Sequence, residues 1–223
     1  MGKYKAVLFD YDGTIADSNK IISESWQHLG QVYLGKPFPN EIFLKTFGLT
    51  LIDSMVMIAH EYGFPDDPDS IEKMRACYSE YQYSHYSAGY PVFPGMVELI
   101  KKLHQDGIKL GIVTSRLRNS LCEGLELHNI KECFGSIICA ESTEIHKPDP
   151  YPAQLCLKEL GVKPEEAIMI GDSKYDIACG NNAGCDSCFV KWSFSNTQEE
   201  INEYSPSTYS IETAEEFYKL VTE

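Results

Sequence analysis

Apolar runs and helical spacings alternate along the second half of the chain. The run KLGIVTS (109–115) is short and β-rich, and RNSLCEGLELHNI (118–130) carries apolar residues at helical spacing. GSIICA (135–140) predicts a strand, PYPAQLCLKELG (150–161) a helix stopped by Gly161, and EAIMIGD (166–172) a strand. KYDIACGNNAG (174–184) predicts a helix and CDSCFVKW (185–192) another strand. KAVLFD (5–10) adds one more buried strand near the start. This alternation is the pattern of a parallel sheet covered by helices.

Residues 17–88 follow a different pattern, with no clear strand. SNKIISESWQHLGQVYLG (18–35), LTLIDSMVMIAHEYG (49–63) and DSIEKMRACYSEYQYSHY (69–86) all have helical spacing, with Asp69 or Ser70 as the expected N-cap of the last. Pro37, Pro39, Pro65 and Pro68 punctuate the joints. A crossover between parallel strands needs one helix; four or so imply an inserted unit. The fold class read here is α/β: a Rossmann-like, doubly wound parallel sheet core (1–16 and 89–223) with an inserted all-helical cap (17–88). Hinges are expected near Ile15–Ser18 and Ala88–Pro91.

Composition narrows the function classes. The 223 residues include 19 basic and 33 acidic side chains, a formal charge of −14. Nucleic acid is not an expected partner, because phosphate contacts need clustered Lys and Arg. An anionic substrate needs a local cation to reverse the field at its site. There is neither a membrane-spanning apolar run nor a signal peptide pattern, so a cytoplasmic protein with no membrane partner is expected. Eight cysteines without a secretory signal read as reduced and buried, and the CxxC of Cys185 and Cys188 lacks the second pair that a zinc site needs. With no sustained heptad or obvious interface strand, a monomer or weak homodimer is expected.

Four polar stretches fall at the carboxyl ends of expected strands: Asp10 and Asp12, Thr114 and Ser115, Lys147, and Asp172 with Asp176. That edge of a parallel sheet is where ligands bind. One Asp after a strand is usually a helix N-cap; four stretches in this order fit phosphoryl transfer. Asp10 can attack phosphorus, and Asp12 can protonate the leaving oxygen and then deprotonate water. Gly13 allows a turn that brings backbone N–H groups to a phosphate. The Thr114 hydroxyl and the Ser115 N–H, expected to open the next helix, suit an anion. Lys147 in IHKPDP supplies a point charge for nucleophile and phosphate. Asp172 and Asp176, with Asp10 and the Asp12 carbonyl, offer the oxygen ligands that Mg²⁺ prefers.

With these motifs in place, the chain resembles the haloacid dehalogenase superfamily of aspartate-nucleophile phosphatases. FDYDGT matches its DxDGT signature, IVTS its strand-ending Thr, HKPDP its Lys-Pro turn and GDSKYD its GDxxxD. YPVFPGM (90–96) is similar to the family's return from the cap, and KWSFSNTQEEI (191–201) to its common tail. The nearest resemblance is to phosphoglycolate phosphatase and its pyrophosphatase, sugar-phosphatase and β-phosphoglucomutase-like relatives with a helical cap. It implies Asp10 as nucleophile, Asp12 as acid/base, Thr114 and Lys147 as phosphate ligands, and Asp172 with Asp176 around Mg²⁺. The implied activity is Mg²⁺-dependent hydrolysis of a small phosphorylated metabolite. A sugar phosphomutase, an inorganic pyrophosphatase and a phosphate-sensing domain are the alternatives. The presence of Asp12 points to phosphate esters or anhydrides rather than haloacids or phosphonates. Tyr11 and Arg116 depart from the usual residues of this subfamily, which bears on the substrate. Arg116, Arg118 and His146 are further candidates for phosphate-side contacts, and Phe47–Thr50 for specificity.

Overall fold

The computed structural model describes residues 2–46, 48–86 and 89–223. Phe47 of the expected specificity loop and Ala88 of the expected hinge lie outside them. The chain divides into two compact units, Met1–Asp17 with Pro91–Glu223, and Ser18–Tyr90.

The first unit is a six-stranded, all-parallel sheet in the order β3-β2-β1-β4-β5-β6. Its strands are β1 (Ala6–Phe9), β2 (Lys109–Val113), β3 (Phe134–Ile138), β4 (Ala167–Gly171), β5 (Asp186–Val190) and β6 (Tyr209–Ile211). The chain winds outward from β1 through β2 to β3, then returns to the other side of β1 with β4. The switch point therefore lies between β1 and β4, where ligands bind in doubly wound sheets. Phe9 is in register with both Ile112 and Ile170, so the residues just beyond these strands come together at one edge.

Every residue of β1 is fully buried, as an apolar run with no alternation predicts for a sheet covered on both faces. Ala6 and Leu8 pack with Ala153, Cys156 and Leu157 of α7 (Tyr151–Leu160) and with Cys179 of α8 (Lys174–Ala183). Phe9, one residue out of phase, meets Phe134 and Phe217 edge-on at 6.1 and 6.2 Å between ring centroids. Phe217 belongs to α10 (Ala214–Thr222), which packs beside α5 (Met96–Gln105). The cysteines are all free, and Cys185 and Cys188 are buried.

The second unit contains α1 (Asn19–Leu34), α2 (Asn40–Thr46), α3 (Leu51–Tyr62) and α4 (Pro68–His85) around Trp26, Leu29, Ile42, Met55, Ile58 and Met74. Gly35 and Gly63 end α1 and α3 in the left-handed conformation that glycine adopts without steric cost. The N-cap of α4 is Asp67, not Asp69 or Ser70: its carboxylate accepts the Ser70 N–H at 3.1 Å. Pro68 explains the earlier start, since it lacks an N–H and its fixed φ suits the first helical position. Among the described residues, no helix is long and apolar enough to cross a membrane.

Candidate active site

The segment after β1 curls tightly. Asp10 extends the strand pairing by one step, donating its N–H to the Ile170 carbonyl at 2.9 Å. The Tyr11 carbonyl then accepts from Ile15 and Ala16, and Gly13 donates to the Ala16 carbonyl. Gly13 has φ 77°, and a Cβ there would lie 1.9 Å from Asp172 Oδ2. Its lack of a side chain thus does more than allow a turn. It lets the loop after β1 press against the carboxylate after β4.

Asp10, Lys147, Asp172 and Asp176 meet at the switch point, all nearly inaccessible to solvent. Lys147 Nζ donates to Asp10 Oδ1 at 2.8 Å, to Asp176 Oδ1 at 2.5 Å and to the Val113 carbonyl at 3.2 Å. An ammonium has three protons, so this network uses all of them. Asp176 is equally committed. Its Oδ2 accepts from the Ser173 N–H and hydroxyl at 2.9 and 2.6 Å, which caps α8.

Burial raises Asp10 well above the usual carboxylate range, and the nearby Asp176 adds to the effect against Lys147. Burial likewise pushes Asp172 up to about 7, with Asp176 contributing and the hydrogen bonds from Ser193 and Ser195 opposing. For Lys147, burial pulls down, but Asp10 and Asp176 outweigh it and hold the ammonium charged. Three buried carboxylates thus share one cation. Ligand oxygens of Asp10, Asp172 and Asp176 lie within 4.8 Å of one another. An all-oxygen set with excess negative charge fits a hard divalent cation such as Mg²⁺. Asp10 uses Oδ1 for Lys147 and Asp172 uses Oδ2 for Ser193, which leaves Asp10 Oδ2 and Asp172 Oδ1 as the natural ligands. Asp176, whose oxygens accept from Lys147 and Ser173, keeps lone pairs and stays in the candidate cation set while it also holds Lys147.

Asp12 is drawn elsewhere. Its Oδ1 accepts from Arg116 Nη1 at 2.6 Å, with the Asp12 side chain 25% exposed and the Arg116 side chain 7%. Between the two acids, Tyr11 is buried, and a Cβ on Gly124 would come within 2.1 Å of its hydroxyl. The Thr114 hydroxyl accepts the Arg116 N–H at 3.2 Å. Ser115 does not open the next helix: α6 (Arg118–Leu127) starts three residues later, with Leu117 at its N-cap position. The turn of Arg116 back onto Thr114, followed by extended Leu117, delays the helix. Glu141 instead accepts the Arg118 N–H at 3.0 and 3.1 Å. The Arg118 guanidinium donates to the Ile137 carbonyl and to Ser142, so it anchors this loop. His146 is half-buried and its carbonyl accepts the Asp149 N–H.

Three contributors carried no role in the sequence reading. Ser193 Oγ donates to Asp172 Oδ2 at 2.6 Å and Ser195 Oγ to the Asp172 carbonyl at 2.5 Å. Trp192 donates from Nε1 to the Thr14 carbonyl at 3.3 Å. Their position just beyond β5, on the same sheet edge, was the available signal.

The comparisons agree with this geometry. Residues 7–190 match the family model of haloacid dehalogenase-like hydrolases. Pyrophosphatase PpaX of Halalkalibacterium halodurans is 32% identical over 200 residues, 90% of this chain and 89% of that protein. Its counterpart in Bacillus cereus is 33% identical over 190 residues, 85% and 84% of the two chains. Among solved structures, a Bacteroides fragilis protein provisionally assigned as a haloacid dehalogenase-like hydrolase superposes with a TM-score of 0.84. It is 28% identical, over 96% of this chain and 99% of that one. A sheet wound in this order, with buried carboxylates at its switch point and a family match over residues 7–190, makes this chain a member of the haloacid dehalogenase-like hydrolases.

Proposed function

We propose that the protein is a Mg²⁺-dependent phosphatase that releases phosphate from a small phosphorylated metabolite through an aspartyl-phosphate on Asp10. One observation carries the reading: Asp10 and Asp12, two residues apart, are held by different cations in different surroundings. Asp10 is buried against Lys147, whose charge opposes the upward shift that burial and Asp176 impose on its carboxyl. Asp12 is more exposed and outside that network, where a carboxyl can exchange protons with a leaving group and with water.

An Asp10 carboxylate oxygen forms a bond to phosphorus as the bond from phosphorus to the leaving oxygen breaks. Asp12 gives its proton to that oxygen. Water then attacks the aspartyl-phosphate, Asp12 takes a proton from it, and phosphate leaves with Asp10 restored. Asp10, Asp172 and Asp176, with the Asp12 carbonyl, would hold Mg²⁺, which supplies charge neutralisation at the phosphoryl oxygens. Thr114, Ser115 and Gly13 offer a hydroxyl and backbone N–H groups for the phosphoryl oxygens. Lys147 reaches a phosphate oxygen only by giving up one of its three partners, and the Val113 carbonyl, at 3.2 Å, is the weakest of them. In this reading the helical unit, residues 17–88 by sequence, is a cap that shapes substrate choice.

The named relatives include pyrophosphatases, so a diphosphate stands beside monoesters such as phosphoglycolate as a substrate to test. Phosphate release from a panel of phosphorylated metabolites, with and without Mg²⁺, tests the reading. Asp10→Asn is expected to abolish release while leaving the circular dichroism spectrum unchanged. Full activity in that variant would refute the nucleophile.

A further inference from the structure

Asp10, Asp172 and Asp176 are like charges in a buried site, yet their ligand oxygens lie within 4.8 Å of one another. Something must hold each of them there. Lys147 donates to Asp10 and to Asp176, and its third proton goes to the Val113 carbonyl. None is left for Asp172. The loop after β5 supplies the missing hold. Ser193 Oγ donates to Asp172 Oδ2, and Ser195 Oγ to the carbonyl of the same residue. On either side of the two serines, Trp192 Nε1 donates to the Thr14 carbonyl and Asn196 Oδ1 accepts the Lys174 N–H at 2.9 Å. Four side chains between 192 and 196 thus grip the turn after β1 and the segment around Asp172. The oxygen that Ser193 takes is also the one against which Gly13 presses. With Oδ2 between a hydroxyl and the Gly13 backbone, rotation of the carboxylate is limited and the direction of Oδ1 is set.

Resting on the phosphatase reading above and its cation site, we propose that Ser193 is a positioning residue for the divalent cation. Its hydroxyl holds the Asp172 carboxylate against repulsion from Asp10 and Asp176, so the three acids are gathered before a cation arrives. Without that hydroxyl the cation must itself draw Asp172 in, and part of the binding free energy is lost to the reorganisation. Ser195 acts on the main chain of the same residue, which the pairing of β4 with β5 already fixes up to Gly171. Its loss is therefore felt in the stability of the loop more than in the aim of the carboxylate.

The test is calorimetric titration of Mg²⁺ into chelator-treated wild type, Ser193→Ala, Ser193→Thr and Ser195→Ala, with urea unfolding recorded on the same samples. Ser193→Ala should weaken Kd roughly 10- to 100-fold, the range for partners that orient metal ligands. Ser193→Thr keeps the hydroxyl and should recover most of that loss. Ser195→Ala should lower the urea midpoint and change Kd by less than Ser193→Ala does. In phosphate release by Ser193→Ala, the Mg²⁺ concentration giving half activity should rise with Kd, while kcat at saturating Mg²⁺ falls less. An unchanged Kd in Ser193→Ala would overturn the proposal. So would an equal weakening in Ser195→Ala, which would mean that Ser193 only supports the loop. A wild type that binds no Mg²⁺ would overturn the cation site and the proposal with it. Absence of phosphate release from the metabolite panel, in a wild type whose Mg²⁺ binding depends on Ser193, would refute the phosphatase reading alone.

Discussion

The charge imbalance at the switch point predicts an unusual pH profile for the metal-free protein. Asp172 is buried and its carboxyl is pushed up to about 7, against about 4 for an ordinary Asp. Between those values the folded protein binds more protons than the unfolded chain, so stability falls as pH rises and levels off above about 7. At ~1.4 kcal/mol per pH unit, the displacement from about 4 to about 7 removes about 4 kcal/mol from the fold. Asp172→Asn eliminates that contribution, and its amide oxygen can still accept from Ser193. In chelator-treated protein, urea unfolding should give wild type and variant equal stability near pH 4. The variant should then gain steadily to about 4 kcal/mol by pH 7. Added Mg²⁺ should restore wild type and leave the variant almost unmoved, since binding to the folded state alone is stabilising. Parallel profiles, or a gap that opens on the acid side, would refute the claim that burial, aided by Asp176, holds the Asp172 carboxyl above its ordinary range.

Two further predictions concern packing and capping. Lys147→Met keeps an unbranched stem but leaves Asp10 and Asp176 without their buried cation; unfolding at pH 7 should show a loss of ~3–5 kcal/mol, and phosphate release should collapse. Thr50 caps α3 by accepting the Asp53 N–H at 3.1 Å. Thr50→Ala should cost ~1–2 kcal/mol in urea unfolding without changing the m-value, and Thr50→Ser should retain most of that.

Features governed by neighbouring residues were legible in the chain. Unbroken apolar runs identified five strands, because a strand covered on both faces has no polar side to show. Glycines 35, 63 and 161 marked helix ends, because few other residues take positive φ readily. The polar residues after those strands pointed to one shared edge, because a parallel sheet must present all its carboxyl ends along it. The three-residue β6 was not legible, as its length gives no periodicity to detect, and Asp67 was masked as a cap by the two polar residues after it. Only the tertiary structure decided how the charges pair. Nothing local says that Arg116 reaches across 104 positions to Asp12, or that Lys147 distributes its protons over Asp10, Asp176 and a β2 carbonyl. Nor does it say that Ser193 steadies Asp172. Ion-pair choice depends on which strand ends become neighbours and how far water is excluded there. Both are set by strand order and burial, so the sequence by itself determined the chemical groups available, and the fold decided which acid each cation serves.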